Sequence, residues 1–202
     1  LIVSVLTTSI ALALGSAAAY AIARLETPGG SRLALMVLAT QMFPGIVIII
    51  PLFILLSRLG LIDTYAGLVL VYLSFVLPIV IWVMKGFFEA IPPDLERAAA
   101  IDGATTWQTF TRVVLPISLP PLFAAGIFAF IESWNEFMFA IVLTRLQTKT
   151  APIAISEFAG QYQTAVGQMV AAATLASVPI IALALVFRSY ILRGFAEGAI
   201  KG

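Results

Sequence analysis

Glu132, Asn135 and Glu136 are the residues whose positions most strongly suggest chemistry, because they interrupt an otherwise apolar segment. In a continuous helix, their spacing of i, i+3 and i+4 would place them on one face. A carboxylate inside a membrane costs roughly 3 kcal/mol on insertion scales and usually faces a cavity or a partner. The three side chains could bind the hydroxyl groups of a sugar, with Trp134 or Phe137 stacking on its ring. They could equally bond to a partner subunit or cap a kinked neighbouring helix.

The available residue types argue against an enzyme. The sequence has no His and no Cys, which removes the commonest general base, the commonest metal ligand and thiolate chemistry. No Ser lies in a Gly-x-Ser-x-Gly turn, and no Gly-x-x-x-x-Gly-Lys-Ser/Thr loop could hold a nucleotide. We therefore predict that this chain has no catalytic residues and binds no metal or cofactor itself.

The apolar composition places the chain in a membrane. Of its 202 residues, 61% are hydrophobic and 10% are charged, whereas a soluble domain carries about 25% charged residues. Apolar runs that reach the length of about 20 residues needed to cross the hydrocarbon core cover residues 1–23, 33–56, 66–84, 122–143 and 169–192. Backbone amides in lipid must be paired within their own segment, so these runs are predicted to be helices. We predict one all-α, polytopic transmembrane domain over residues 1–202, in contact with membrane lipid. The net charge of +1 indicates no nucleic-acid partner.

Two of the predicted spans have features that are typical of transport pathways. Pro44 and Pro51 lie in the second span and Pro78 lies in the third, and prolines at this depth leave carbonyl groups unpaired and bend helices. Gln41 adds a polar side chain to the second span, and we include it among the candidate pathway residues. Many static membrane helices are also kinked, so the kinks alone do not indicate transport.

A long polar interval, residues 85–121, separates the third and fourth runs. Its charged residues are Lys85, Glu89, Asp94, Glu96, Arg97, Asp102 and Arg112. The interval predicts two short helices joined by a turn. Asp94 can cap the first helix, on which Leu95, Ala98 and Ala99 share a face of small side chains.

Turn and stop signals bound these two short helices. Gly103 can take the left-handed conformation that closes the first helix. Thr105 or Thr106 can cap the second helix, which Pro116 should stop at about Val114 because proline lacks the amide proton. A helix of small side chains held between two spans suits a groove in another protein, although an ordinary surface loop would have the same pattern.

The same interval resembles the EAA loop of the membrane-spanning subunits of bacterial ABC importers. That loop has a Glu-Ala-Ala run, a Gly a few residues later and a Leu-Pro downstream. The matching residues here are Glu96, Ala98, Ala99, Asp102, Gly103, Ala104, Leu115 and Pro116. The stretch LERAAAIDGATTWQTFTRVVLP is similar to the carbohydrate branch, the maltose-importer type, as is the WNEF run at residues 134–137. The pattern departs at Arg97, because the residue before Ala98 is usually Glu and the acidic residue here lies one position earlier.

The resemblance implies a fold and a set of partners. It implies the six-helix core of a type I ABC importer permease, of which this chain would supply five helices, so we expect an N-terminal part to be missing. The first short helix would be the coupling helix, seated in a cleft of an ATPase subunit through Leu95, Glu96, Arg97, Ala98, Ala99, Asp102, Gly103 and Ala104. A second permease would complete a heterodimer, and two ATP-binding subunits would carry ATP and Mg. An extracytoplasmic substrate-binding protein would meet Gln161 and Tyr162. The expected substrate is a disaccharide such as trehalose or maltose.

The distribution of Lys and Arg predicts the orientation. With the 85–121 interval in the cytoplasm, the residues on the inner side are Arg24, Arg32, Lys85, Arg97, Arg112, Arg188, Arg193 and Lys201. Arg58, Arg145 and Lys149 would lie outside, so the bias agrees with the positive-inside rule. We expect a multi-pass protein of the bacterial inner membrane with a cytoplasmic C-terminus.

An ion-coupled secondary transporter is the alternative from another class. Glu132 and Glu136 would then exchange protons or cations. Such carriers often contain inverted repeats and helices broken near the midplane. The sequence has no convincing internal repeat, and transport without any ATPase would be the distinguishing result.

Overall fold

The computed structural model describes residues 1–25, 29–159 and 165–199, and its elements there are helices. These are α1 (Ile2–Arg24), α2 (Gly30–Ala39), a 3₁₀ turn (Thr40–Met42), α3 (Gly45–Arg58), α4 (Tyr65–Ala90), α5 (Asp94–Ile101), α6 (Thr106–Thr109), a π-helical turn (Phe110–Val114), α7 (Leu115–Ile117), α8 (Leu119–Asn135), α9 (Met138–Leu143), α10 (Ala151–Ser156) and α11 (Val166–Ala199). The predicted all-α fold is therefore confirmed.

Membrane spans can be assigned by length and composition. Within the described ranges, α1, α4 and the 166–188 part of α11 are each long and apolar enough to cross a membrane. Two further pairs of helical segments pass the same test together but are bent, by 93° between residues 32–42 and α3 and by 79° between residues 106–117 and α8. Counting each bent pair as one span gives up to five spans.

Helices α1 and α4 pack along most of their length and form the centre of the bundle. Small residues permit this close contact: a Cβ atom at Gly15 would lie 2.8 Å from Cγ1 of Val80. One cluster of buried side chains, including Tyr20 and Phe88, lies at the end of the bundle where α1 stops at Arg24. We call this the Arg24 end. A second cluster, including Tyr72, lies toward the opposite end, which we call the Asp63 end after the loop residue described below.

The second predicted span is not one continuous helix. The helical backbone stops at Phe43, whose ψ is 124°, and Pro44 is also extended, with ψ 122°. Pro44 precedes the first residue of α3, where its missing N–H group costs nothing. Pro51 and Pro78, in contrast, lie inside α3 and α4 without ending them.

The polar interval also differs from the prediction at its two ends. Residues 85–90 belong to α4, where Lys85 forms an ion pair with Glu89 at 2.6 Å. Asp94 is the first residue of α5 and not its cap, a position that Pro93 occupies. At the far end, the second short helix does not end at Val114 as predicted from Pro116. The π-helical turn continues into α7, and the sharp bend follows at Ser118. Pro116 is the second residue of α7, where a missing donor is tolerated.

Asp63 joins two loops that are far apart in sequence. Its carboxylate accepts hydrogen bonds from the backbone N–H groups of residues 145–148, at 3.0 to 3.1 Å, and from the Thr148 hydroxyl at 2.8 Å. Its own N–H donates to the carbonyl of Leu143 at 2.9 Å. These donors, the N–H of Arg145 first among them, hold the pKa of Asp63 well below its usual value. No sequence pattern predicted this role of Asp63.

We expect Asp63→Asn to loosen the turn at residues 145–148, because a neutral amide has one acceptor oxygen and its NH₂ group would face backbone donors. Hydrogen–deuterium exchange of these amides should accelerate at least about tenfold, as expected from losing a charge-assisted hydrogen bond. In the wild type the lowered pKa means that the protection is present at neutral pH and is lost only when the pH falls through that low value. Exchange corrected for its intrinsic rate should thus stay slow at about pH 4.

Glu157→Gln is the matched control, because it removes the ion pair of Glu157 with Lys149 in the same region and leaves the Asp63 contacts intact. Equal exchange at residues 145–148 in the wild type and in Asp63→Asn would contradict this role.

Candidate functional site

Helix α5 ends in a backbone motif that fixes its length. Gly103 has φ 82°, in the left-handed region, its N–H donates to the carbonyl of Ala100 at 3.0 Å, and the N–H of Ala104 donates to the carbonyl of Ala99 at 2.9 Å. This pair of bonds is a Schellman motif, in which Gly is favoured because it has no Cβ atom. The predicted end of the first short helix is therefore confirmed.

A capping box begins the next helix directly after this motif. The Thr105 hydroxyl accepts the N–H of Gln108 at 3.3 Å, and the Gln108 side chain accepts the N–H of Thr105 at 2.9 Å. Of the two threonines considered, Thr105 is thus the cap. The two adjacent caps make a tight connection between α5 and α6.

The surface of α5 is more exposed than the sequence pattern indicates. Of the face predicted for Leu95, Ala98 and Ala99, only Ala99 is buried. Leu95 is 41% exposed, Ile101 is 86% exposed, and Trp107 of α6 is 65% exposed. Large apolar side chains exposed on α5 and α6 are candidates for contact with another protein or with lipid.

Glu96 turns away from this exposed surface. Its Oε1 lies 2.8 Å from Nε of Arg24, and its Oε2 accepts a hydrogen bond from the Tyr20 hydroxyl at 3.1 Å. Arg97, in contrast, points to solvent and pairs with Asp94 at 3.0 Å. Asp102 is the exposed C-cap residue of α5. Of the predicted coupling residues, Glu96 and Ala99 thus face the bundle, whereas Leu95, Arg97, Ala98, Asp102 and Gly103 are exposed.

A cavity of about 230 Å³ lies where two helix breaks meet α4. It is lined by Thr40, Gln41, Phe43, Gly45, Ile48, Ser74, Phe75, Glu136 and Phe139. A Cβ atom at Gly45 would lie 2.7 Å from Cε of Met138, so the start of α3 and the start of α9 approach closely. Amide, hydroxyl and carboxylate groups are combined here with aromatic rings, a lining that suits a small polar molecule.

Glu136 is not on a common helical face with Glu132 and Asn135. Helix α8 ends at Asn135, and Glu136 has an extended backbone. Its carboxylate accepts the N–H groups of Phe139 at 2.7 Å and Ala140 at 3.0 Å, and so caps the start of α9. A carboxylate is favoured at this position because the first N–H groups of a helix lack partners. The alternative that one of these residues caps a kinked helix is correct for Glu136.

The other predicted pathway residues lie outside the cavity lining. Glu132 and Asn135 are exposed on α8, and Phe137 is 40% exposed. Trp134 is buried, and its indole N–H donates to the carbonyl of Ala176 in α11 at 3.0 Å. Its ring also stacks on Phe130, with 5.8 Å between the centroids, so Trp134 joins α8 to α11 and does not present its face to a ligand.

Of the six predicted pathway residues, Gln41 and Glu136 line the cavity. Two lining residues that the sequence did not predict are Ser74 and Phe75, which α4 contributes from its apolar middle. A signal that points to Ser74 is its hydroxyl group within an otherwise apolar span, whereas the helix break at Glu136 has no proline or glycine beside it to mark it. The outer-loop residues Gln161 and Tyr162 lie outside the described residues.

Residues 11–197 match a family described as the inner membrane component of binding-protein-dependent transport systems. The chain belongs to this family. It is similar to the trehalose transport system permease protein SugB of Mycobacterium tuberculosis, with 43% identity over 203 residues that cover 99% of this chain and 74% of that protein. The trehalose/maltose transport system permease protein MalG of Thermococcus litoralis is 36% identical over 204 residues, covering 100% of this chain and 73% of the relative.

A solved structure has the same fold as this permease. It is a bacterial ABC transporter involved in the import of the acidic polysaccharide alginate, with a TM-score of 0.69, 22% identity and coverage of 94% of this chain and 74% of that chain. The resemblance to ABC importer permeases is confirmed, and the protein is a multi-pass membrane permease and not an enzyme. The Glu136 carboxylate caps α9, and the relatives are ABC permeases. Neither finding favours the ion-coupled alternative.

We expect Glu136→Ala to destabilise the permease by about 1–2 kcal/mol, because the start of α9 loses its cap. Glu136→Gln keeps an acceptor oxygen and should cost less. The measurement is the midpoint of thermal unfolding in detergent. Glu132→Ala, on the exposed face of α8, is the control and should leave the midpoint unchanged. A midpoint lowered by Glu132→Ala and not by Glu136→Ala would contradict the capping assignment.

Proposed function

We propose that this chain is one permease of an ATP-driven importer for a disaccharide, with trehalose as the first candidate and maltose as the second. The single observation that carries the proposal is the 43% identity over nearly the whole chain to a trehalose transport system permease. The polar and aromatic lining of the cavity is consistent with a sugar, because hydroxyl groups can bond to Gln41 and Ser74 while ring faces pack on Phe75.

The proposed partner at the Arg24 end is an ATP-hydrolysing subunit that receives α5 in a cleft. The exposed Leu95, Ile101 and Trp107 give this surface an apolar centre. Two ATP-binding subunits with ATP and Mg would close on each other, draw together the α5 helices of two permeases and switch the spans between inward- and outward-facing states. The Arg24 end would then be cytoplasmic, in agreement with the positive-inside bias of the sequence.

The proposed second permease accounts for polar side chains on the outside of this bundle. Glu132 and Asn135 are exposed on α8, although a carboxylate facing lipid is costly. Facing a shared pathway or the second permease, they would be solvated or paired. At the Asp63 end, an extracytoplasmic binding protein would deliver the sugar, with Gln161 and Tyr162 as the proposed contact.

We expect Gly103→Val to separate ATP hydrolysis from transport while membrane insertion is kept. A β-branched side chain at φ 82° costs about 1–2 kcal/mol and would displace the end of α5. Uptake into vesicles that contain the assembled importer should fall about five- to thirtyfold, which corresponds to that energy, while ATP hydrolysis persists.

Gly86→Val is the matched control, because Gly86 lies in α4 with open space around its Cβ position and without a left-handed backbone. It should transport at the wild-type rate. Unchanged uptake in Gly103→Val would count against α5 as the coupling element.

We expect Gln41→Ala to lower the maximal rate of trehalose uptake about three- to tenfold, which corresponds to one neutral hydrogen bond to the sugar. Asn135→Ala should also change the rate if α8 faces the pathway. Ser57→Ala, at an exposed position near the end of α3, is the control and should transport normally. Wild-type uptake in both Gln41→Ala and Asn135→Ala would assign these residues to packing.

A further inference from the structure

The carboxylate of Glu96 is held by the bundle, although it belongs to the helix that is most exposed at the Arg24 end. The side chains of Glu96 and Arg24 are 19% and 14% exposed, whereas those of Asp94 and Arg97, on the same helix as Glu96, are 82% and 73% exposed. A partner that covers α5 from outside would therefore meet Asp94 and Arg97 first. Glu96 is directed at the last residue of α1.

Arg24 connects three elements through one guanidinium group. It is the last residue of α1, its Nε pairs with Glu96 of α5, and its NH2 group donates to the carbonyl of Ile91, the C-cap residue that follows α4. A guanidinium suits this position because it presents several donors in a fixed plane. Each half-buried charge also has a second polar contact, which offsets the cost of desolvation.

Tyr20 holds the same carboxylate from a position that packing fixes. Its hydroxyl donates to Glu96, and its ring packs between Phe88 of α4 and Phe110 of the π-helical turn, with centroids 5.9 Å and 4.9 Å away. Phe88 and Phe110 are buried. The oxygen atoms of Glu96 are thus bound to side chains whose own positions are fixed by packing.

From these contacts we propose that Tyr20, Arg24 and Glu96 form a lock that makes α5 move with α1, and that Glu96 is a positioning residue and not the acidic contact to the ATPase. The inference rests on the proposed function. Besides this lock, α5 buries only Ala99 among its described residues. Displacement of α5 therefore reaches α1 through the Arg24 and Glu96 charges. It reaches α4 through the short connection of residues 91–93 and through the contact of Arg24 with Ile91.

The test uses the complete importer in vesicles, with both permeases, the ATPase subunits and the binding protein. We would compare Arg24→Gln, Glu96→Gln and the double variant for three quantities: co-purification of the ATPase, ATP hydrolysis, and trehalose transported per ATP hydrolysed. We expect normal co-purification and at least about a tenfold fall in the transport ratio, the scale of one charge-assisted hydrogen bond. The transport ratio of the double variant should be no lower than that of either single variant, because each single substitution already breaks the contact between Arg24 and Glu96.

Glu89→Gln is the control at the same end of the bundle, because it breaks the ion pair of Glu89 with Lys85 in α4 and leaves the lock intact. It should keep the wild-type transport ratio. Loss of ATPase co-purification in Glu96→Gln alone would overturn the inference by making Glu96 a direct contact. If the losses in transport ratio of the two single variants multiply in the double variant, the inference is also overturned. Transport ratios that stay at the wild-type value in all variants would overturn it as well.

The same experiment separates this inference from the proposed function. A wild-type complex that takes up no sugar with ATP would overturn the proposed function and the inference with it. A wild-type complex that transports normally, beside variants with unchanged transport ratios, would overturn the inference alone.

Discussion

Helix ends determine the architecture of this permease, because a polar backbone group left unpaired in lipid costs several kcal/mol. Each end needs a bonding partner, and carboxylates of the chain itself meet this need at several depths. Asp63 binds the N–H groups of the turn after α9, and Glu136 binds those that begin α9. At the Arg24 end, Glu96 and the carbonyl that ends α4 share one guanidinium group. Three of the ten acidic residues, Asp63, Glu96 and Glu136, therefore hold helix ends in place.

This arrangement combines a rigid centre with two interrupted spans. Helices α1 and α4 are continuous and pack closely where Gly15 faces Val80. Beside them, the breaks at Phe43 and Glu136 open a cavity whose polar groups come from irregular backbone and from Ser74. Irregular backbone is tolerated at this depth only where protein or a water-filled cavity surrounds it. The proposed pathway and the proposed coupling helix are thus both attached to the same pair of helices.

The sequence predicts local features of this fold well and distant contacts poorly. Apolar length gives the membrane segments, and Gly103 and Thr105 give the ends of the short helices, because those signals act within a few residues. The break at Glu136 has no proline or glycine to mark it, so a continuous helix was the reasonable and wrong prediction. The partners of Asp63 and Glu96 lie about 80 and 70 residues away in the chain, and only the packed bundle brings them together.

The central claim is that α5 carries the force of the ATPase to α1 as one rigid unit. Because the sequence has no Cys, spin labels can be attached at Ala100→Cys in α5 and at Leu14→Cys, an exposed position of α1. Pulsed electron paramagnetic resonance would then report the distance between the two labels in the assembled importer. The distance should be the same with and without ATP, while the distance between labels on the α5 helices of the two permeases changes. A change of several ångströms between α5 and α1 within this chain would contradict the account.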